Sequence, residues 1–441
     1  MPEVAVLAAG RSAFTGRSRA QAGRTDDQLA GPLLAGLTAA AGISSPERAV
    51  DGVILGSCTG PGGNVGRRAA LAAGFGLDCP GWSVDAQCGS GMLAVQQAAD
   101  RIRLDGGLIA AGGVESPSTA PERRIDGVAY RQAPMVPRGF PDPDLVHAAE
   151  DLARVRGITR QRQDALAERS HRLALEHADL LAAERLDGSG IADDGPRAVT
   201  ARLLARFAPL VPEAAEPGTP SGGASPRHTD SLPETGITGE PRPGFGSVTP
   251  GNTARIADGA AALLLGPAPR GVDGQPARPH TLVRAGILAG GDPALPGAAP
   301  TGALRRLLRR AGIGLDRLGA LEVVEAFSAQ VLATLDDLDL ADGERIDPRV
   351  NAAGGALALG HPWGASGAAV LVRLHHRLLA CPPGTLGAAA CAIGGTALCH
   401  SVACSWARPM RRASPSANGR QMICSEVGSS LLVKPIGIAS P

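Results

Sequence analysis

Residues 84 to 91 read Val-Asp-Ala-Gln-Cys-Gly-Ser-Gly, and this stretch decides the fold because it joins a strand to a helix. Residues 81–84 favour a strand, and apolar residues then recur at roughly helical spacing from Leu93 to Ile102. Cys88 therefore lies at a helix start, where unpaired N–H groups stabilise negative charge. This position predicts a lowered thiol pKa and a nucleophilic thiolate, whereas the alternative is a buried, inert cysteine.

Composition excludes several function classes. The chain has 441 residues with 43 basic and 42 acidic side chains, so no net field favours nucleic acid or a membrane surface. We expect neither a signal peptide nor a transmembrane span, since the start is short and acidic and no apolar run is long enough. Eight scattered cysteines without a CxxC pair indicate a reducing cytoplasm. The spacing of Cys399, His400 and Cys404 matches no common zinc pattern, so we predict no metal.

Short apolar strands alternate with helical patterns along most of the chain, which predicts an α/β fold. Residues 108–114 and 389–396 are both apolar strands that run into a glycine pair, and each follows a glycine-entered helix. This likeness indicates an internal duplication.

The middle and the end of the chain have a different composition. Residues 145–186 are helical and rich in charge, whereas residues 212–244 are rich in Pro, Gly, Ser and Thr and carry almost no apolar side chains. We expect 212–244 to form a disordered surface loop, because such a segment cannot bury a core. The tail 407–441 is predicted to be peripheral.

Two further segments carry candidate chemistry. Residues 351–367 place five glycines and a proline around His361, a density typical of backbone that crowds a reacting centre. Cys391 ends an apolar strand before Gly394 and Gly395. Taken alone, His361 could be an ordinary loop histidine and Cys391 a buried strand cysteine.

Together these segments resemble the thiolase family over residues 4–402. Residues 87–91 match its nucleophile signature, residues 354–367 match its glycine-rich histidine motif, and Glu325-Ala326-Phe327 matches its E-A-F element. The resemblance implies a duplicated fold of two βαβαβαββ halves, packed as five layers (αβαβα) with an inserted loop domain. The corresponding boundaries are residues 1–115 for the N-terminal half, 116–250 for the insert, and 251–406 for the C-terminal half, completed by the strand near 251–265.

The resemblance also implies residue roles. Cys88 would take an acyl group as a thioester, His361 would accept its proton, and Cys391 would act as acid or base at the α-carbon of the second acyl thioester. One oxyanion hole would use the backbone N–H of Cys88 with that of Ile393 or Gly394, and the other the His361 ring with a water. Substrate-binding positions by the same resemblance are Ala254, Ala326 and Phe327.

This chain departs from the family pattern at several positions. Val324 stands where the family usually has an asparagine that holds the oxyanion water, a donor worth about 2.7–4 kcal/mol. Ile393 stands where glycine is frequent, and Ala254 replaces a frequent serine. Asp144-Leu145-Val146 replaces a His-Met-Gly element.

These features predict an acyltransferase that makes or cleaves a β-ketoacyl thioester by Claisen chemistry. The substrate would be a coenzyme A thioester or an acyl carrier protein, with no bound cofactor, and phosphates could meet Arg123, Arg124, Arg131 and Arg138. The short segment 116–147 favours a homodimer, with a tetramer as the second possibility. Two alternatives stay open: acyl transfer to a non-carbon nucleophile, and a catalytically silent partner subunit.

Overall fold

A computed structural model describes residues 2–130, 133–211, 246–270, 279–394 and 396–405. The predicted disordered loop 212–244 and the tail 407–441 lie outside the described residues. Within them, no helix is long and apolar enough to cross a membrane.

The first elements alternate between strand and helix as the apolar pattern predicts. They are β1 (Val4–Arg11), β2 (Thr15–Gly16), α1 (Asp26–Ala40), α2 (Pro46–Ala49), β3 (Gly52–Gly56), α3 (Val65–Ala72), β4 (Gly81–Val84), α4 (Ser90–Asp105) and β5 (Ile109–Glu115). The charged middle of the chain forms β6 (Arg123–Ile125), β7 (Val128–Tyr130), α5 (Leu145–Arg156), α6 (Arg160–Glu176), α7 (Ala178–Ala183) and α8 (Ala201–Leu204).

The remaining elements repeat the alternation. They are β8 (Ala257–Pro267), β9 (His280–Gly290), α9 (Ala299–Ala311), β10 (Leu318–Val323), α10 (Ser328–Asp336), β11 (Ala341–Asp342), β12 (Arg345–Ile346), α11 (Ala356–Leu359), α12 (Trp363–Leu379), β13 (Leu386–Ile393) and β14 (Thr396–Ser405). Helix α12 begins at Trp363, directly after Pro362, which fixes the backbone that leads into it.

Sheet topology confirms the duplicated fold. In one half-sheet the order is β4-β3-β5-β8-β1, and in the other it is β10-β13-β14-β9. In the second half-sheet, Val350 forms a parallel bridge with Leu321 of β10. This bridge corresponds to the pairing of β4 with β3 in the first half-sheet. A short antiparallel pairing of β1 with β9 joins the two half-sheets edge to edge.

The strand near 251–265 lies in a different half from the one expected. It is β8, which pairs antiparallel with both β1 and β5 and so completes the first half-sheet rather than the C-terminal half. Its burial explains the placement, because Ala257 to Gly266 are all buried and require a sheet neighbour on each side.

Five layers follow from three hydrophobic clusters. Helices α1 and α3 cover the outer face of the first half-sheet, and α9 and α10 cover that of the second. Helices α4 and α12 pack against each other between the half-sheets. Glycines permit this close approach, since a Cβ at Gly91 would lie 2.7 Å from the carbonyl oxygen of Gly364, and one at Gly113 would overlap that same oxygen.

The inserted region is tied to the core by buried ion pairs. Arg11 at the end of β1 donates to Glu184 at 2.7 Å and to Asp193 at 2.7 Å. Arg373 of α12 donates to the same Glu184. Since all four side chains are buried or nearly so, removing one partner would leave an uncompensated charge.

The contact between β5 and the start of α12 predicts a steric cost. We expect Gly113→Ala to lower the free energy of unfolding by about 1–3 kcal/mol, because its Cβ has no space beside Gly364. Gly302→Ala is the control: no atom lies within 4 Å of a Cβ there, in helix α9. That variant should be neutral or more stable by about 0.5–1 kcal/mol in urea titration. Equal stability of the two variants would contradict the close approach.

Candidate active site

The turn that carries Cys88 is held by side chains on both sides of it. Asp85 Oδ1 accepts the Gln87 N–H at 2.9 Å, and Gln87 has a φ of 49°. The Ser90 hydroxyl donates to the Gln87 carbonyl at 2.6 Å and accepts the Ala86 N–H at 2.8 Å. These bonds close one 3₁₀ turn over residues 87–89, from which α4 continues at Ser90.

His361 lies at the start of α12, which is the counterpart of α4 in the second half. Gly360 reaches a φ of 108°, and the His361 N–H donates to the Arg255 carbonyl at 2.8 Å. The imidazole is buried, with 5 % of its surface exposed. The packing of α4 on α12 thereby brings two helix starts, and the residues they carry, face to face.

Cys88 and His361 are in direct contact. His361 Nε2 lies 3.1 Å from Cys88 Sγ, and His361 Nδ1 lies 2.6 Å from Ser366 Oγ. A neutral imidazole that accepts the thiol proton at Nε2 carries its own proton at Nδ1, where the Ser366 oxygen accepts it. Ser366 is therefore the residue that orients the base, one turn into α12.

The expected lowering of the Cys88 pKa is wrong. Burial raises the pKa of the Cys88 thiol to about 12, and the nearby Glu115 carboxylate adds to the rise. Burial also lowers the pKa of His361 to about 4. Exclusion of water outweighs the N–H groups of the turn, so both partners are neutral at pH 7 and the thiol depends on His361 to lose its proton.

Cys391 lies in β13 and is fully buried. Its thiol donates to the Ala392 carbonyl at 3.3 Å, and β13 packs against the turn that holds Cys88. The Gly394 N–H donates to Gln87 Oε1 at 3.0 Å, which ties the two cysteine-bearing segments together. This bond engages the N–H of one of the two predicted oxyanion donors, and Ile393, the other, lies opposite Thr396 in the ladder between β13 and β14.

Glu325 of the E-A-F element braces the loop that presents His361. Its buried carboxylate accepts Ser170 Oγ at 2.7 Å, Asn351 Nδ2 at 2.7 Å and the Leu357 N–H at 3.1 Å. Burial raises the pKa of Glu325, partly offset by these donors. A Cβ on Gly355 would overlap the carboxylate, so this glycine is required for the loop to approach it.

The predicted substrate-binding residues come together beside the histidine loop. The Ala254 N–H donates to the Ala326 carbonyl at 3.0 Å, and Thr253 forms a bridge with Phe327. The carbonyl of Arg255, the residue after Ala254, accepts the His361 N–H. The structure thus places these three positions next to the base.

Val324 is 2 % exposed and belongs to the central apolar cluster. It lines a cavity together with Leu359, Gly360 and Ser366, directly behind the histidine loop. Its side chain offers no hydrogen-bond donor to that space. The position where the family usually has an asparagine therefore carries no side-chain donor in this chain.

Sequence reasoning missed several residues of the site. Glu115 is buried and accepts the Cys58 N–H and the Thr59 hydroxyl near Cys88, and burial raises its pKa. The sequence feature that could have indicated Glu115 is a carboxylate at the end of an apolar strand.

Two of the arginines proposed to meet phosphates have other partners in the structure. Arg123 donates to the Cys58 carbonyl and Arg124 pairs with Glu122, whereas Arg131 lies outside the described residues.

Comparison with known proteins agrees with this geometry. Residues 4–180 match the N-terminal domain of thiolase, and residues 277–404 match the C-terminal domain. An acetyl-CoA acetyltransferase of Pseudomonas aeruginosa is 35% identical over 406 residues, covering 86% of this chain and 93% of the relative. A putative acetyl-CoA C-acetyltransferase VraB of Staphylococcus haemolyticus is 35% identical over 356 residues, covering 78% and 84%.

Solved structures give the same result. The acetyl-CoA acetyltransferase of Bacillus anthracis superposes with a TM-score of 0.72 at 29% identity, covering 92% of this chain and 99% of that one. The Acat5 thiolase of Ascaris suum, solved in complex with coenzyme A, has a TM-score of 0.72 at 24% identity, covering 91% and 99%, and supports the fold.

The duplicated fold, with its paired cysteine and histidine, defines an acyltransferase. Both halves of the chain carry the corresponding domain signatures in order. The chain belongs to the thiolase family.

A neutral Cys88 predicts a distinctive pH dependence. Alkylation of Cys88 by iodoacetamide should rise about tenfold per pH unit from pH 7 to 10, because the thiolate fraction grows tenfold per unit below a pKa of about 12. Free cysteine, with a pKa of about 8.5, should level off near pH 9 in the same buffers. Rates are read by mass spectrometry of the Cys88 peptide. A plateau below pH 8 would show a preformed thiolate and contradict this prediction.

Proposed function

We propose that Cys88 is the nucleophile and that the enzyme works through a Cys88 thioester. The observation that carries the proposal is the 3.1 Å contact between Cys88 Sγ and His361 Nε2. His361 takes the thiol proton as Sγ attacks the acyl carbonyl, and it returns the proton to the departing thiol. The oxyanion of the tetrahedral intermediate is bound by the N–H groups of Cys88 and Ile393.

Cys391 is the acid/base of the second step. Its thiolate removes a proton from the α-carbon of a second acyl thioester, and the resulting carbanion attacks the Cys88 thioester. A carbon–carbon bond forms, the bond to Sγ breaks, Sγ takes up the proton that Cys391 released when its thiolate formed, and a β-ketoacyl thioester leaves. The burial of Cys391 beside the Cys88 turn supports this role, because exclusion of water protects the carbanion from protonation by solvent. The reverse sequence cleaves the same product.

The substrate we propose is a coenzyme A thioester rather than an acyl carrier protein. Support comes from the relatives named acetyl-CoA acetyltransferase and from the coenzyme A complex of the Ascaris enzyme. The placement of Ala254, Ala326 and Phe327 beside His361 supports a pantetheine arm reaching the site along these residues.

Two cysteine variants separate the steps. Cys88→Ala should abolish acyl loading, whereas Cys391→Ala should load normally yet lose about 10²–10⁴-fold in condensation, the usual contribution of an acid/base group. Loading is read by intact mass after incubation with acyl-CoA or acyl carrier protein, and condensation by formation of the β-ketoacyl thioester. Cys381→Ala is the control, because this buried thiol follows the far end of α12. Acylation that survives in Cys88→Ala would overturn the proposal.

One observation favours a second candidate function. Val324 contributes no side-chain donor to the space behind the histidine loop, and a donor at an oxyanion site is worth about 10²–10³-fold in rate. Cys88 could then pass its acyl group to an oxygen, nitrogen or sulfur nucleophile, for which Cys391 is not required.

Val324→Asn tests which function holds. If the natural reaction is condensation limited by the missing donor, this variant should raise condensation by about tenfold or more while loading stays unchanged. Val324→Leu serves as the apolar control. Efficient condensation in the native enzyme would exclude the second candidate, whereas rapid loading without condensation in all three proteins would support it.

We propose a homodimer that forms along β4, located in the cytoplasm. β4 is an edge strand whose only ladder partner among the described residues is β3, and its residues are only partly buried in the single chain. An exposed edge of this kind is usually covered. The thiols of Cys58, Cys79 and Cys88, which form no disulfide, support a reducing compartment.

A further inference from the structure

Met135 lies in the segment between β7 and α5, far in sequence from Cys88, His361 and Cys391. Its N–H donates to Asp142 Oδ2 at 3.2 Å, which anchors this part of the segment. Its thioether rests on Gly394: a Cβ at that glycine would overlap Met135 Sδ and lie 2.8 Å from Cγ. The glycine is therefore needed for Met135 to sit where it does.

Gly394 connects Met135 to both reactive cysteines. It follows Cys391 by three residues, and its N–H is held by Gln87, the residue that precedes Cys88. The same hypothetical Cβ would lie 2.9 Å from Gln87 Oε1, so Gln87 and Met135 contact Gly394 at the same place. Met135 thus lies over the junction between the Cys88 turn and the end of β13.

We propose that Met135 limits the length of the acyl group that Cys88 accepts, an inference that rests on the acyl-transfer function above. An acyl group on Cys88 must sit between the two cysteine-bearing segments, so its alkyl tail runs toward the residue that covers their junction. An unbranched thioether fills such a space without polar groups and leaves room for short chains only. Met135 is a specificity-determining residue, separate from the proton-transfer groups.

The test compares rates of Cys88 loading from acetyl-, butyryl-, hexanoyl- and octanoyl-CoA by intact mass. In Met135→Ala the octanoyl-to-acetyl rate ratio should rise at least about tenfold, because a few methylenes in a pocket are worth that much discrimination. Met135→Leu, of similar volume, should keep the native profile. Phe140→Ala is the matched control, since this large apolar side chain of the same segment is 59% exposed. Thermal unfolding of each variant confirms that the fold is kept.

A second variant pair checks the contact itself. Gly394→Ala should reduce loading from acetyl-CoA, and adding Met135→Ala should recover at least part of that loss because it removes the overlapping sulfur. If native enzyme loads acyl groups and Met135→Ala leaves the chain-length profile unchanged, the role of Met135 is overturned while the proposed function stands. If no acyl thioester loads native Cys88, the proposed function fails and this inference with it.

Discussion

The close packing of α4 on α12 is the contact on which the rest of the structure depends. Glycines at Gly91, Gly113 and Gly364 remove side chains where backbone meets backbone, so two helix starts from different halves lie against each other. Cys88 on one helix start and His361 on the other then meet without any long loop. The contact between this proposed nucleophile and its proposed base is a consequence of the duplicated architecture.

Burial determines how that pair behaves. The same packing that brings Cys88 and His361 together excludes water, which makes charge separation unfavourable on both. The proton therefore moves when the acyl carbonyl arrives and an oxyanion site is available to receive the charge. Glu115 strengthens this effect, since its buried carboxylate adjoins the turn from the opposite side and opposes a resting thiolate.

Local pattern predicted the fold well and the site only in part. Apolar periodicity and glycine punctuation located β4, α4, β13 and the duplication, and the family motifs singled out Cys88 and His361 as candidate residues, with Cys391 before its own glycine pair. The pKa of Cys88 was predicted in the wrong direction, because helix-start geometry is local whereas burial by α12 is not. Met135 could not be found from sequence, since its contact with Gly394 joins segments about 260 positions apart and depends on how the chain folds back.

The separation of the site between the two halves has a consequence for synthesis of the protein. Cys88 leaves the ribosome 273 residues before His361, and Cys391 follows only near the end of the chain. The N-terminal half, even with its sheet in place, holds a thiol without a base to deprotonate it. On the proposed mechanism, acyl transfer through Cys88 begins only once the second half has folded against the first, so activity reports that the two halves have folded together.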